Sequence, residues 1–257
     1  MPDIFIIAFV FLFGICFGSF ANVVIYRLPK KLSIAKPPSA CPSCGNQLSA
    51  MDLLPVLSWL LLRGRCRVCN KKISLRYPLV ELLCGLLFAS MVIYSPTLSA
   101  VPLIVFAFIL LVISFIDADT QEIPDGLVII GAVAGVVWVA CGGIVWWNAL
   151  LGVVAGAAPL LIIDRICLAV LKKDGFGYGD VKLMAMVGLF LGWKLILMAF
   201  LFAFISGAAF AVYLMATGKA KRGAYMAFGP FLCIGTLLSF WFGEFLLDWY
   251  VAWINYY

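Results

Sequence analysis

The sequence contains no histidine. That absence excludes every Ser-His or Cys-His hydrolase and every His-ligated metal site, and it removes the usual general base near neutral pH. Charge is almost as scarce: 12% of the 257 residues are charged, against 65% hydrophobic. A soluble domain of this length cannot hide so much apolar surface, so an all-α polytopic membrane protein is expected. Acidic residues are the scarcer sign, twelve against eighteen Lys/Arg. Each carboxylate near an apolar run therefore needs an explanation, because an acid in a membrane span requires a partner or a function.

What is present is a series of long apolar runs with basic loops between them. The first run, Ile4–Ile25, is long enough to span a bilayer. Asp3 precedes it, and Arg27, Lys30 and Lys31 follow it. This charge order is opposite to that of a secretory signal, so the span is expected to be retained with the N-terminus outside. Residues 27–78 carry ten Lys/Arg against one acid, Asp52, and are expected in the cytosol close to anionic lipid. Apolar runs follow at about 79–94, 98–116, 126–141 and 144–163. A second basic loop, 164–182, holds Arg165, Lys172, Lys173 and Lys182. The stretch 183–216 is too long for one span and tight for two, with a turn expected at Gly192-Trp193-Lys194. Lys219, Lys221 and Arg222 mark a third basic loop before a last span, 228–249. About eight spans with a periplasmic N-terminus place 17 of the 18 Lys/Arg in the cytosol, all but Lys194. The expected domains are a first helix (1–26), a four-cysteine loop (27–78) and a seven-helix membrane domain (79–257).

Nine cysteines occur. Cys16, Cys84, Cys141, Cys167 and Cys233 lie in or beside apolar runs, where cysteine acts as a small hydrophobe. Cys41-Pro-Ser-Cys44 and Cys66-Arg-Val-Cys69 are different: two C-x-x-C pairs in one basic loop. Each pair brings two thiolates to one ion from a tight turn, and two turns complete a tetrahedral site, expected to hold structural zinc. Four thiolates leave no open position for water, so the metal would fold the loop rather than catalyse. The alternative is four reduced, unligated thiols or a redox pair; zinc is the expected reading because persistent disulfides are rare in the cytosol.

The chemistry-bearing stretch is Gly175-Phe-Gly177-Tyr-Gly179-Asp180-Val-Lys182-Leu183, in which a carboxylate sits between a glycine-rich loop and an apolar run. Its candidate partner is Asp117, in Phe115-Ile116-Asp117-Ala118-Asp119, where another apolar run ends. Two carboxylates meeting at one membrane face are the minimum equipment for acid–base hydrolysis of an amide. Glu122 and Asp125 add to the acids near Asp117, with Asp125 suited to a helix start after Pro124. Asp164 and Asp174 flank basic residues and are read as solvated or paired. From spacing alone, helix caps or an ion pathway remain open beside the two-acid reading.

Taken together, these stretches resemble the type IV prepilin peptidases. Gly18-Ser-Phe-Ala-Asn-Val23 with Tyr26-Arg-Leu-Pro29 is similar to the end of that family's first span, and the four cysteines to its zinc loop. Arg76-Tyr-Pro-Leu-Val-Glu81, Asp117-x-Asp119 through Ile123-Pro-Asp125, Gly177-Tyr-Gly-Asp-Val-Lys-Leu183 and Phe228-Gly-Pro230 follow in the family's order along almost the whole chain. The resemblance implies a G-x-G-D membrane aspartic protease with Asp117 and Asp180 as the catalytic pair, Gly177, Gly179 and Lys182 in the supporting loop, and Asp119 outside the pair. It implies cleavage of prepilin and pseudopilin leaders at the cytosolic boundary of the bacterial inner membrane. It also implies N-methylation of the new terminus from S-adenosyl-L-methionine, although no methyl-donor residues can be assigned and no Gly-rich methyltransferase fingerprint occurs. No nucleic-acid partner is expected.

Two other classes compete: an ion-coupled transporter with Asp117, Asp119 and Asp180 on its path, and a zinc-bearing adaptor without catalysis. A transporter should show internal repeats and acids near mid-membrane. No repeat relates the halves here, and the acids lie at span ends. The charge distribution makes a direct prediction about topology. A reporter fused after Tyr257 is expected to be active in the periplasm and one inserted near residue 220 in the cytosol; a cytosolic C-terminal reporter excludes eight spans.

Overall fold

The computed structural model describes residues 3–172, 177–218 and 226–256. The basic residues expected at 219, 221 and 222, Lys173 and Asp174 of the second basic loop, and Gly175 and Phe176 of the glycine-rich stretch lie outside the described residues. Among the described residues eight helices follow in order: α1 Ile4–Arg27, α2 Leu57–Leu61, α3 Arg76–Tyr94, α4 Ala100–Thr120, α5 Asp125–Ala140, α6 Trp146–Leu171, α7 Tyr178–Ala216 and α8 Gly229–Tyr256. No strand forms among the described residues, only isolated bridges inside the cysteine loop. Six of these helices (α1, α3, α4, α6, α7 and α8) are long and apolar enough to cross a membrane, and α5 is a shorter apolar helix. The protein is a multi-pass membrane protein, because in lipid the helix satisfies every backbone group internally.

Several helices outrun the apolar runs that announced them. α4 continues past residue 116 to Thr120, α6 past 163 to Leu171, and α7 begins at Tyr178 rather than near Val181. Hydropathy marks where a helix leaves lipid, not where its hydrogen bonds stop, so polar residues extend the ends. Asp117, Asp119 and Asp180 are consequently helical residues rather than loop residues.

α7 is a single 39-residue run interrupted only at Gly192, whose φ of 70° and ψ of −179° are outside the helical region. A side chain rarely tolerates that φ, and glycine does. The break reverses the chain. A methyl group on Gly156 of α6 would lie 2.8 Å from the Met184 carbonyl carbon and 2.6 Å from Ile196 Cδ1. Residues twelve apart in a straight helix are separated by about 18 Å, so one point on α6 can meet both only if α7 doubles back. The expected turn is therefore present, reduced to one residue. Asn148 Oδ1 accepts the Trp193 N–H at 3.2 Å, satisfying an amide at the start of the second limb. With α5 and both limbs of α7, the apolar helical segments among the described residues number eight.

Two compact units divide the chain, Met1–Val112 and Ile113–Tyr257. In the first, α1 and α3 approach through glycines: a methyl on Gly14 would lie 2.8 Å from Gly85 Cα, and one on Gly18 2.5 Å from Glu81 Cα. In the second, Gly152 and Gly188 bring the α6 and α7 backbones together, each leaving no room for a side chain. Lipid tails are as apolar as leucine, so these helices associate by close packing rather than by hydrophobic burial. Gly188→Leu should therefore lower thermal stability in detergent by about 1–3 kcal/mol through overpacking. Gly126→Ala, where a methyl would meet nothing within 4 Å, should leave the melting curve unchanged.

Candidate active site and metal centre

The cysteine loop, within the first unit, folds as the same small turn twice. Cys41 N–H bonds to Asn46 C=O at 2.9 Å and Gly45 N–H to Cys41 C=O at 2.9 Å. Cys66 N–H bonds to Lys71 C=O at 2.9 Å and Asn70 N–H to Cys66 C=O at 3.0 Å. Gly45 and Asn70 take positive φ, 70° and 57°, at equivalent places just after each C-x-x-C. Glycine and asparagine are the residues that do so most readily. The two turns face each other, and all four Sγ atoms lie within 4.8 Å of one another. Cys41 Sγ and Cys69 Sγ are 3.9 Å apart, close to the roughly 3.8 Å edge of a tetrahedron with 2.3 Å Zn–S bonds. The amides of Ser43 and Cys44 are aimed at Cys41 and pull its thiol down to about 6, preparing a thiolate for a cation.

Asp52 ties the first turn to the second. Its Oδ2 accepts the Ser49 hydroxyl at 2.7 Å, and its Oδ1 accepts Arg67 Nε at 2.8 Å. These bonds hold the Asp52 carboxyl below its usual range, Ser49 first and Arg67 next. The donor set and spacing fit a four-coordinate metal, so the purified protein should carry about one zinc per chain. Cys41→Ser/Cys44→Ser is expected to lose it and to make residues 27–78 protease-sensitive. Full metal content in the double variant overturns the assignment.

Glu81 escaped the sequence reading as a separate acid, although it stands inside the apolar run 79–94. It is buried on α3, and its Oε2 accepts the Val56 N–H at 2.7 Å. Val56 has a positive φ of 62°, unfavourable for a β-branched residue. The bond helps fix the segment between the two C-x-x-C turns against α3.

In the second unit, Asp117 lies in the last turn of α4, the eighteenth of its 21 residues, and is only 5% exposed. Its Oδ2 accepts the N–H of Gly229, the first residue of α8, at 2.9 Å. Asp180 is the third residue of α7, whose N-cap is Gly177. Its carboxylate takes the Gly177 amide, and Asp180 N–H bonds back to Gly177 C=O at 3.0 Å. This is one half of a capping arrangement, in which an acid in the first turn reaches back to the N-cap amide, Gly177 having no side chain to return the bond. Gly179 allows the start of α7 to press on the α4–α5 connection: a methyl there would lie 3.0 Å from Ile123 Cβ.

These placements open a cleft of about 420 Å³. Asp117, Gln121, Glu122, Ile123 and Asp125 line it from one side, and Gly177, Gly179, Asp180 and Lys182 from the other. Asp117 and Asp180 share the cleft and lie in each other's electrostatic field. Lys182 Nζ pairs with Asp125 Oδ1 at 2.8 Å, so Asp125, expected only as a helix-start residue, also joins α5 to α7. Asp119 is exposed and does not line the cleft. Asp164, expected solvated or paired, is buried at 7% exposure in α6. Cys233, buried in α8, faces the field of both cleft aspartates. The part played by Gly229 was not legible beforehand; its only signal was the Phe228-Gly-Pro230 stretch at the start of the last span.

Comparison with known proteins gives matches along the whole of this architecture. A family model described as the bacterial peptidase A24 N-terminal domain matches residues 12–95, and one described as the type IV leader peptidase family matches residues 104–212. A protein of Myxococcus xanthus named prepilin leader peptidase/N-methyltransferase is 41% identical over 82% of this chain, which covers 64% of that protein. Proteins of the same name from Pseudomonas putida and Bacillus subtilis are 36% and 31% identical, covering 90% and 95% of this chain and 88% and 98% of their own. No solved structure matches. With both family models in consecutive order and relatives aligned almost end to end, the chain belongs to the type IV leader peptidase family.

Proposed function

We propose that this protein is a membrane aspartic endopeptidase that removes the leader of type IV prepilins and pseudopilins and then N-methylates the new terminus. The observation that carries the first activity is that Asp117 and Asp180, 63 residues apart on different helices, line one cleft at helix ends. Acids on a transport path belong near mid-membrane; these are in the last turn of α4 and the first turn of α7.

Two carboxylates sharing a cleft hold one proton between them more cheaply than none. The ionised member takes a proton from water as the water oxygen attacks the scissile carbonyl carbon. The protonated member donates to the carbonyl oxygen, giving a neutral tetrahedral intermediate. Proton transfer to the amide nitrogen then lets the C–N bond break, and the carboxylates return to their starting states. Gly177, Gly179 and the Lys182–Asp125 pair keep the α7 start beside the α4–α5 connection while this happens.

The methyl donor is S-adenosyl-L-methionine, which supplies a sulfonium-bound methyl to the terminal amine; no residue is assigned to hold it. Zinc on Cys41, Cys44, Cys66 and Cys69 folds the loop of residues 27–78. The positive-inside pattern supports a cytosolic loop and cleft in the bacterial inner membrane.

Asp117→Asn and Asp180→Asn keep side-chain size but remove the titrating group. Leader cleavage should fall by several orders of magnitude in either variant, with the double variant little worse, because members of one catalytic unit are not additive. Asp119→Asn should retain most cleavage. Near-normal cleavage by either of the first two would falsify the pair.

A further inference from the structure

The geometry points to Gly229 as a positioning residue of the aspartate pair, acting through its backbone amide and through the space its missing side chain leaves. The inference rests on the endopeptidase reading above and adds a component to that site. Asp117 belongs to α4 and Gly229 opens α8, 112 residues later in sequence. Nothing in helix formation requires them to meet.

Two observations join them. The first is the hydrogen bond from Gly229 N–H to Asp117 Oδ2 at 2.9 Å, with both partners buried. The first amides of a helix have no partner within it, and they carry the positive end of the helix dipole. α8 therefore presents an amide that needs an acceptor to a carboxylate that needs a donor. Pro230, the next residue, brings no competing N–H. The second observation is steric. A methyl on Gly229 would lie 2.6 Å from Asp117 Oδ2, 2.9 Å from Cγ and 3.1 Å from Cβ. All three contacts are with the one side chain, so any larger residue moves Asp117 itself.

The consequence for the reaction follows from which oxygen is held. Oδ2 is engaged by α8, which leaves Oδ1 to exchange protons with water or substrate. The bond fixes the side-chain rotation, and hence the direction in which Oδ1 faces. A displacement of about 1 Å at a reacting group costs on the order of a hundredfold in rate. Gly229 does not touch the substrate; it sets the aim of the acid that does.

The test uses Gly229→Ala in the full-length protein, read against Asp117→Asn. Cleavage of a prepilin peptide should show kcat lower by about a hundredfold with KM little changed, because orientation and not binding is lost. A peptide carrying a hydroxyethylene group in place of the scissile amide should lose affinity for Gly229→Ala as it does for Asp117→Asn. Its methylene counterpart, which offers the pair no hydroxyl, should bind wild type and both variants alike. General damage to the fold would weaken both peptides together, and that result overturns the inference, as does wild-type kcat. If Gly229→Ala does not accumulate, Asp117→Ala/Gly229→Ala should, since the added methyl then meets no carboxylate; failure of both also overturns it. Normal cleavage by Asp117→Asn would instead remove the endopeptidase reading and leave the Asp117–Gly229 contact a structural one.

Discussion

Taking a carboxylate out of water is costly unless something replaces the hydration it loses, and that cost organises this molecule. Asp117 is buried at the end of one membrane helix and is met by the first amide of another. Asp180 solves the same problem locally, from within the first turn of its own helix. The two solutions differ in what they demand. Asp180 needs only the start of its own helix, with Gly177 three residues before it, to be correctly wound. Asp117 needs α8 to begin at one place in space, so α8 and the second limb of α7 on which it packs become part of the site.

That requirement passes to the glycines. Helices surrounded by lipid gain little by hiding apolar surface from one another, so close approach of backbones has to supply the attraction. Gly152 and Gly188 bring α6 against α7, and Gly192 folds α7 back so that its second limb reaches α8. Asn148 closes one of the amides that the fold-back leaves open. Each device is local and small. Together they set where Gly229 stands, and through it where Asp117 points.

The cysteine loop follows a different logic. It has almost no apolar core and holds its shape by repeated hydrogen-bonded turns, the Asp52–Arg67 bridge and four converging sulfurs. A divalent cation would neutralise thiolates that otherwise repel one another, which converts binding energy directly into folding energy. Glu81 extends the hold from the loop to the α1–α3 pair through the Val56 amide.

Much of this was written in the sequence, because composition and periodic spacing act locally. The long apolar runs and the scarcity of charge established a helical membrane protein. The doubled C-x-x-C foretold four converging sulfurs, since each pair shares one turn. Asp117 and Asp180 stood out because an acid where an apolar run ends costs free energy wherever the chain goes. The helix ends were misjudged by several residues, since hydropathy reports lipid contact and not hydrogen bonding. What only the tertiary structure decided were the meetings of distant residues: Asp117 with Gly229, Lys182 with Asp125, Asn148 with Trp193, and Glu81 with Val56. Each of these joins a polar group to a backbone or side chain whose neighbour is chosen by helix packing. Packing through glycines leaves no hydrophobic pattern from which that choice could have been read.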